Sequence, residues 1–194
     1  KSVVITGSTS GIGLGIARAF AAQGCNVMLN GFGDAAEIER LRAGLAAEHR
    51  IGAMYSSADM ARPDEIAAMI DQAKHRFGAV DVLVNNAGIQ HVAPVDEFPV
   101  EKWDAILAIN LSAAFHATKA ALPGMKKRNF GRIVNIASVH GIIASVNKVA
   151  YVAAKHGIVG LTQVTALETA EADITCNAIC PGYVHTPLVQ KQID

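Results

Sequence analysis

Along the chain, short runs of β-branched and apolar residues alternate with longer stretches whose apolar positions recur at helical spacing. The runs at 2–6, 26–30, 53–57, 80–84, 132–136 and 175–179 are continuously apolar in character, the pattern of strands covered on both faces of a parallel sheet. Between them, residues 12–23 place Ile12, Ile16, Ala19 and Phe20 on one helical stripe. Pro63–Phe77 opens with proline in its first turn and repeats Ile66, Met69, Ile70, Ala73 and Phe77. Strand, helix and strand in series predict an α/β fold, a three-layer doubly wound parallel sheet. Such sheets hold ligands beyond the carboxyl ends of the strands, where strand order reverses.

Composition narrows the picture. The 194 residues are 51% hydrophobic and 18% charged, enough apolar material for one substantial core, and the chain reads as a single domain over 1–194. Lys+Arg and Asp+Glu both number 17, so no global field draws the protein toward nucleic acid or an anionic membrane. The short basic run Lys126-Lys127-Arg128 fits the end of a helix, where cations complement the dipole. Cys25, Cys176 and Cys180 make an odd count with no signal peptide, which points to reduced thiols, all three small core hydrophobes, in a cytoplasmic protein. No apolar run approaches the roughly 20 residues of a membrane span, so none is expected. Lys1 opens directly onto a strand, and the native N-terminus is expected to lie before it.

The first strand leads into Thr6-Gly7-Ser8-Thr9-Ser10-Gly11-Ile12-Gly13 and then a helix. Glycines there let the backbone turn tightly against a pyrophosphate, which the free N–H groups and positive dipole of the helix end attract. The spacing is G-x-x-x-G-x-G, distinct from G-x-G-x-x-G. No lysine or arginine lies in this loop or in Asn30-Gly31-Phe32-Gly33-Asp34 after the second strand, so a 2′-phosphate lacks a partner and NAD is favoured over NADP. Asp34 lies about 20 residues beyond the glycines, as a ribose ligand would. It is equally placed to cap a helix.

Tyr151 and Lys155 stand at i and i+4, on one face of a helix. A phenol with an ordinary pKa of about 10 is a poor base at neutral pH, and a fixed cation beside it lowers that value. Y-x-x-x-K alone is common. What makes it specific is the series around it: the glycine loop, Asn85-Asn86-Ala87-Gly88, Asn110, Ser138 and Pro181-Gly182, in that order. Taken singly, Ser138 could cap a turn, Asn110 could cap or bend a helix, and Asn85-Asn86 could tie loops together.

In that series the chain resembles the classical short-chain dehydrogenases/reductases from its first residues to its last. The resemblance implies a Rossmann fold and an NAD-dependent oxidoreductase. Tyr151 would be the general acid/base, Ser138 the partner of the reacting oxygen, Lys155 a phenolate stabiliser and ribose ligand, and Asn110 the holder of a water that relays the proton. The cofactor cleft would be lined by Gly7, Thr9, Ser10, Gly11, Ile12, Gly13 and Phe32, by Asp59 and Met60 around the adenine, and by Asn86, Ala87 and Gly88. Pro181, Gly182, Val184 and Thr186 would cover the nicotinamide amide. The family also implies a homotetramer, and a C-terminal strand and substrate-covering lid that this chain is expected to lack.

Where the resemblance puts the substrate, four polar residues fall together: Gln90, His140, Lys148 and Gln192. Convergent donors around one cation suit a small carboxylate. They resemble the set in family members that act on (R)-3-hydroxybutyrate, so that acid and acetoacetate are the expected pair. Tyr183 stands where such members would carry a tryptophan beside the substrate methyl. The alternatives are an NADPH-dependent 3-oxoacyl or sugar reductase and a non-catalytic NAD sensor, the latter at odds with an intact Ser138, Tyr151 and Lys155. His49, His75, His91, His116, His156 and His185 show no ligand spacing, and no metal is expected.

Overall fold

A computed structural model describes residues 1–184. It shows six parallel strands, β1 (Ser2–Ile5), β2 (Asn26–Asn30), β3 (Ala53–Ser56), β4 (Val82–Asn85), β5 (Gly131–Ile136) and β6 (Ile174–Ile179), in the order β3-β2-β1-β4-β5-β6. The helices are α1 (Gly11–Ala22), α2 (Ala35–His49), α3 (Pro63–Phe77), α4 (Val100–Leu107), α5 (Ala113–Arg128) and α6 (Val149–Glu168). This is the doubly wound sheet that the pattern predicts. The order reverses between β1 and β4, and there the loops after both strands diverge to leave a crevice.

Successive strand residues face opposite layers. Val4, Met28, Leu83 and Ile133 pack with Met69, Ile70, Ala117 and Met125 from α3 and α5, while Val3, Ile5, Val27, Leu29 and Val84 pack with Ala17, Ala21 and Leu45 from α1 and α2. Full burial of each valine, leucine, isoleucine or methionine among them contributes roughly 1.5–3 kcal/mol.

Strand limits shift slightly from the expectation, for local reasons. The fourth ladder begins at Val82, not 80, because Val80 turns its carbonyl to Arg128 and Asp81 pairs with the start of β1, its carboxylate accepting from Ser2 N at 3.0 Å. Asp34 proves to be the helix cap: its carboxylate accepts from Glu37 N at 2.9 Å at the start of α2. The basic run closes α5, which stops at Asn129 in the left-handed region, φ 48°. Cys176 is buried, whereas Cys25 and Cys180 are only half-buried, against the edges of the core.

The expectation about apolar length needs correction. α4, a π turn (Ala108–Ser112) and α5 join into one helix, Val100–Arg128, long and apolar enough by length and composition to cross a membrane. Polar residues interrupt its sequence, but alanine, isoleucine and leucine dominate the average. Its apolar face is already covered: Ala113, Ala117, Ala121 and Met125 lie under β4, β5 and α3, and Ile106 lies under α6.

Candidate active site

A cavity of ≈ 440 Å³ runs across the carboxyl ends of the strands at the reversal. Its floor is the turn between β1 and α1. Gly7 (φ 61°) and Gly11 (φ 55°) hold left-handed conformations there. At Gly13 a Cβ would overlap the Gly7 carbonyl oxygen and the Asn86 amide, so only glycine lets the helix come this close. Ser10 precedes α1 in extended conformation without capping it by its side chain, and no acidic residue occupies the first turn. The first N–H groups of a helix have no partner inside it. An uncapped helix end, glycine-lined and free of carboxylates, fits the pyrophosphate of a dinucleotide.

Buried polar side chains hold this floor in shape. Thr6 Oγ1 accepts from Asn86 N and Ala87 N, both at 3.0 Å, and Asn86 Nδ2 donates back to Thr6 O (3.0 Å) and Gly7 O (2.8 Å). Asn30, at the end of β2, accepts from Gly7 N at 3.2 Å and donates to Ser56 O and Ala58 O. Ser8 Oγ donates to Ile5 O and accepts from Asn30 N. The sequence reading overlooks Thr6, Ser8 and Asn30. Their signal is a polar residue at or just past the carboxyl end of a buried apolar strand, where an unpaired hydroxyl or amide would be costly. Asn85 and Asn86 do tie loops together: Asn85 Nδ2 donates to Asn135 Oδ1 at 2.8 Å.

Of the residues expected to hold the cofactor, Gly7, Thr9, Ser10, Gly11, Ile12, Gly13, Phe32, Asp59, Met60, Asn86, Ala87, Gly88, Pro181, Gly182 and Val184 all line this cavity. Thr186 and Gln192 lie outside the described residues. The lysines on the lining, Lys148 and Lys155, stand at the end away from Phe32 and Asp59.

At that end, α6 presents Tyr151 and Lys155 on one face, and both open on the cavity. Lys155 Nζ lies 5.6 Å from the Tyr151 ring centre. It donates to Ile136 O at 2.7 Å and is almost wholly buried, which brings its pKa down to about 8, the nearby Cys180 opposing. Burial raises the phenol of Tyr151, and a hydrogen bond with Ser138 works the other way. The expected depression of the phenol by Lys155 is therefore not what the structure shows. Spacing brings the cation near, but burial of the ring raises the phenol.

Ser138 lies two residues beyond β5 and caps a 3₁₀ turn, Val139–Gly141, its hydroxyl accepting from His140 N at 3.2 Å. That turn seats tightly on α6, since a Cβ at Gly141 would come within 2.6 Å of Lys155 O. His140 meets the Tyr151 ring edge-on at 5.9 Å. Its pKa falls through burial first and the charge of Lys148 second. Gln90, His140, Lys148 and Tyr183 all reach the same cavity, with Lys148 Nζ 5.9 Å over the Tyr183 ring.

Asn110 alone of the expected catalytic group among the described residues does not line the cavity. The π turn carries it inward, where its Oδ1 accepts from Ile89 N (2.8 Å) and its Nδ2 donates to Ile89 O (2.9 Å). Its side chain therefore shapes the loop beside Gly88.

A short chain dehydrogenase family model matches residues 1–194. The chain belongs to the short-chain dehydrogenase family. It is 61% identical to a D-beta-hydroxybutyrate dehydrogenase of Cupriavidus necator, over 100% of this chain and 74% of that protein. It is 56% identical to one of Rhizobium meliloti, over 100% of this chain and 75% of the relative. A crystal structure of a putative short-chain alcohol dehydrogenase from Sinorhizobium meliloti superposes with a TM-score of 0.90 at 33% identity, covering 96% of this chain and 73% of that one. As a short-chain dehydrogenase, the protein is an oxidoreductase that works with a nicotinamide cofactor.

Proposed function

We propose that the protein interconverts (R)-3-hydroxybutyrate and acetoacetate with NAD. The observation that carries this is the placement of Lys148, His140 and Gln90 on the same cavity wall as Ser138 and Tyr151, a cation and polar groups ready for a short carboxylate whose alcohol carbon lies over the phenol. The names of the two relatives above support the same substrate. NAD is supported by the adenosine end of the cleft, where Gly31, Phe32, Asp59 and Met60 line the wall, while the two lysines among the described lining residues, Lys148 and Lys155, belong to the other end.

When bound, the dinucleotide supplies the hydride acceptor. The N–H groups of Gly11 to Gly13 would hold its pyrophosphate, and Lys155 its nicotinamide ribose. Pro181, Gly182 and Val184 border the redox end. Ser138 donates a hydrogen bond to the substrate oxygen and orients it, while Tyr151 takes the hydroxyl proton as the carbonyl forms. Lys148 fixes the carboxylate, so the hydroxyl meets Tyr151 in one orientation.

Full-length protein is mixed with NAD and 3-hydroxy acids of both hands, and the absorbance of reduced nicotinamide is followed. Turnover of (R)-3-hydroxybutyrate, lost by about 10²–10⁴-fold in Tyr151→Phe, is the expected result. Activity confined to thioesters or sugars, or turnover unchanged in Tyr151→Phe, refutes the reading.

A further inference from the structure

Two loops bring the polar residues of the substrate wall together. Gln90 lies in the loop after β4, and Lys148 ends the loop that runs from the Ser138 turn into α6. One main-chain bond ties the two: Ala93 N donates to Asn147 O at 3.0 Å. Asn147 holds φ 63°, in the left-handed region that costs a residue with a Cβ and that asparagine enters more readily than most. Lys148 follows as the N-cap of α6, its carbonyl accepting from Val152 N at 2.9 Å. Asn147 itself is exposed and is not among the described residues that line the active-site cavity; it borders a separate hollow with Ala93, Val95 and Val152.

We propose that Asn147 is a positioning residue for substrate binding, its left-handed backbone and its tie to Ala93 aiming Lys148 into the cavity that Gln90 also lines. The proposal rests on the reading of Lys148 as the ligand of a small carboxylate. Turning φ at Asn147 into the ordinary negative range rotates the chain on its two sides by roughly 120° relative to each other. The Ser138 turn fixes one end of this loop and α6 the other. The rotation is therefore absorbed between them, at the Asn147 carbonyl that meets Ala93 and at the backbone that carries the Lys148 side chain.

The effect falls on binding rather than on chemistry. A chain that holds the left-handed turn only part of the time binds the carboxylate through that fraction alone, and its apparent affinity drops in proportion. Tyr151 and Lys155 lie inside α6, and the Lys155 ammonium keeps its own anchor on Ile136 O at 2.7 Å. Because Asn147 stands outside the cavity, its amide is not needed as a ligand, and the backbone conformation is what substitution removes.

The test uses full-length protein at saturating NAD. Asn147→Ala should raise KM for (R)-3-hydroxybutyrate by about fivefold or more with kcat close to wild type. Asn147→Gly, which takes the left-handed turn with no Cβ to hinder it, should keep KM near the wild-type value. An alanine variant with unchanged KM, or a glycine variant as impaired as the alanine one, overturns the proposal. A second measurement needs no turnover. The His140 ring, which faces Ser138, Ser145, Tyr151 and Lys148, is held below its ordinary value by burial first and by the Lys148 charge second. Displacing Lys148 in Asn147→Ala should raise the midpoint of that ring in an NMR titration, and Asn147→Gly should leave it in place. A midpoint unmoved by alanine also overturns the proposal. If the wild type oxidises no 3-hydroxy acid, the substrate reading fails by itself, and the His140 midpoint still decides whether Asn147 places Lys148.

Discussion

Replacing Thr6 by valine deletes one oxygen and keeps the shape of the side chain. That oxygen accepts the N–H groups of Asn86 and Ala87, each at 3.0 Å, at a residue only 3% exposed. Valine leaves both donors without an acceptor. A buried donor so stranded costs about 1–3 kcal/mol, and because the cleft lets some water approach, the lower part of that range applies to each. The sum is about 2–3 kcal/mol. In a chain of this size, 1 kcal/mol moves the melting temperature by about 2–4 °C, so Thr6→Val should melt roughly 5–10 °C lower. Urea unfolding of wild type, Thr6→Val and Thr6→Ser, read as midpoints at unchanged slope, checks this. Serine keeps the oxygen and loses one methyl, so it should cost no more than about 1.5 kcal/mol. A valine variant within about 0.5 kcal/mol of wild type, or a serine variant weaker than it, would falsify the assignment of the hydroxyl as the link between β1 and β4.

Further outcomes follow from the same geometry. With the folded Lys155 pKa at about 8 and the unfolded value near 10.5, the unfolded chain binds more protons between those values. Stability referenced to a Lys155→Met variant should thus rise as pH climbs from 8 toward 10.5, with the penalty fully present below 8; a flat or falling difference in urea midpoints contradicts the burial of the charge. Burial pushes the Cys176 thiol up to about 11, so a disulfide reagent on native protein should spare it and react with Cys25 or Cys180 first. Peptide mapping that finds Cys176 labelled first would count against its placement. At Gly141 an alanine Cβ would press on the Lys155 carbonyl, pushing the Ser138 turn away from α6. Gly141→Ala should lower kcat while dinucleotide affinity, measured by calorimetry, stays near wild type; equal activity would mean the turn has slack there.

Much of the fold is legible because its strands are covered on both faces, which forces unbroken apolar runs such as Val3 to Ile5 and Val82 to Val84. The catalytic helix is legible too, since i and i+4 spacing survives any context that keeps the helix. What escapes is whatever depends on burial or on a distant partner. The Tyr151 phenol shifts upward rather than downward because spacing reveals neither how deeply the ring sits nor that Lys155 Nζ turns to Ile136. Asn110 could cap or bend a helix by composition alone, and only the packed loop shows that its amide is held by Ile89. Thr6, Ser8 and Asn30 look like ordinary strand ends until the loops beside them come together. Asp34 satisfies two sequence rules at once, and the cap prevails because its donor, Glu37 N, is three residues away in the first turn of α2.

The π turn at Ala108–Ser112 makes one long helix behave as two rods set at different angles of rotation about a shared axis. Each residue of a regular helix turns the chain by about 100°, and a π turn holds one residue more than the regular count. Removing a single residue from this stretch would let it close into regular helix with α4 and α5 still facing as they do, and the loss would fall on the Asn110 amide and the loop after β4 that it holds. Removing one from the regular part of α5 would instead swing α4 by that angle, and Ile106 would leave its seat beside Ala150 and Ala154. A scan of one-residue deletions should thus find the fold more forgiving at the π turn than within α5, with the damage at the turn appearing at the catalytic cleft.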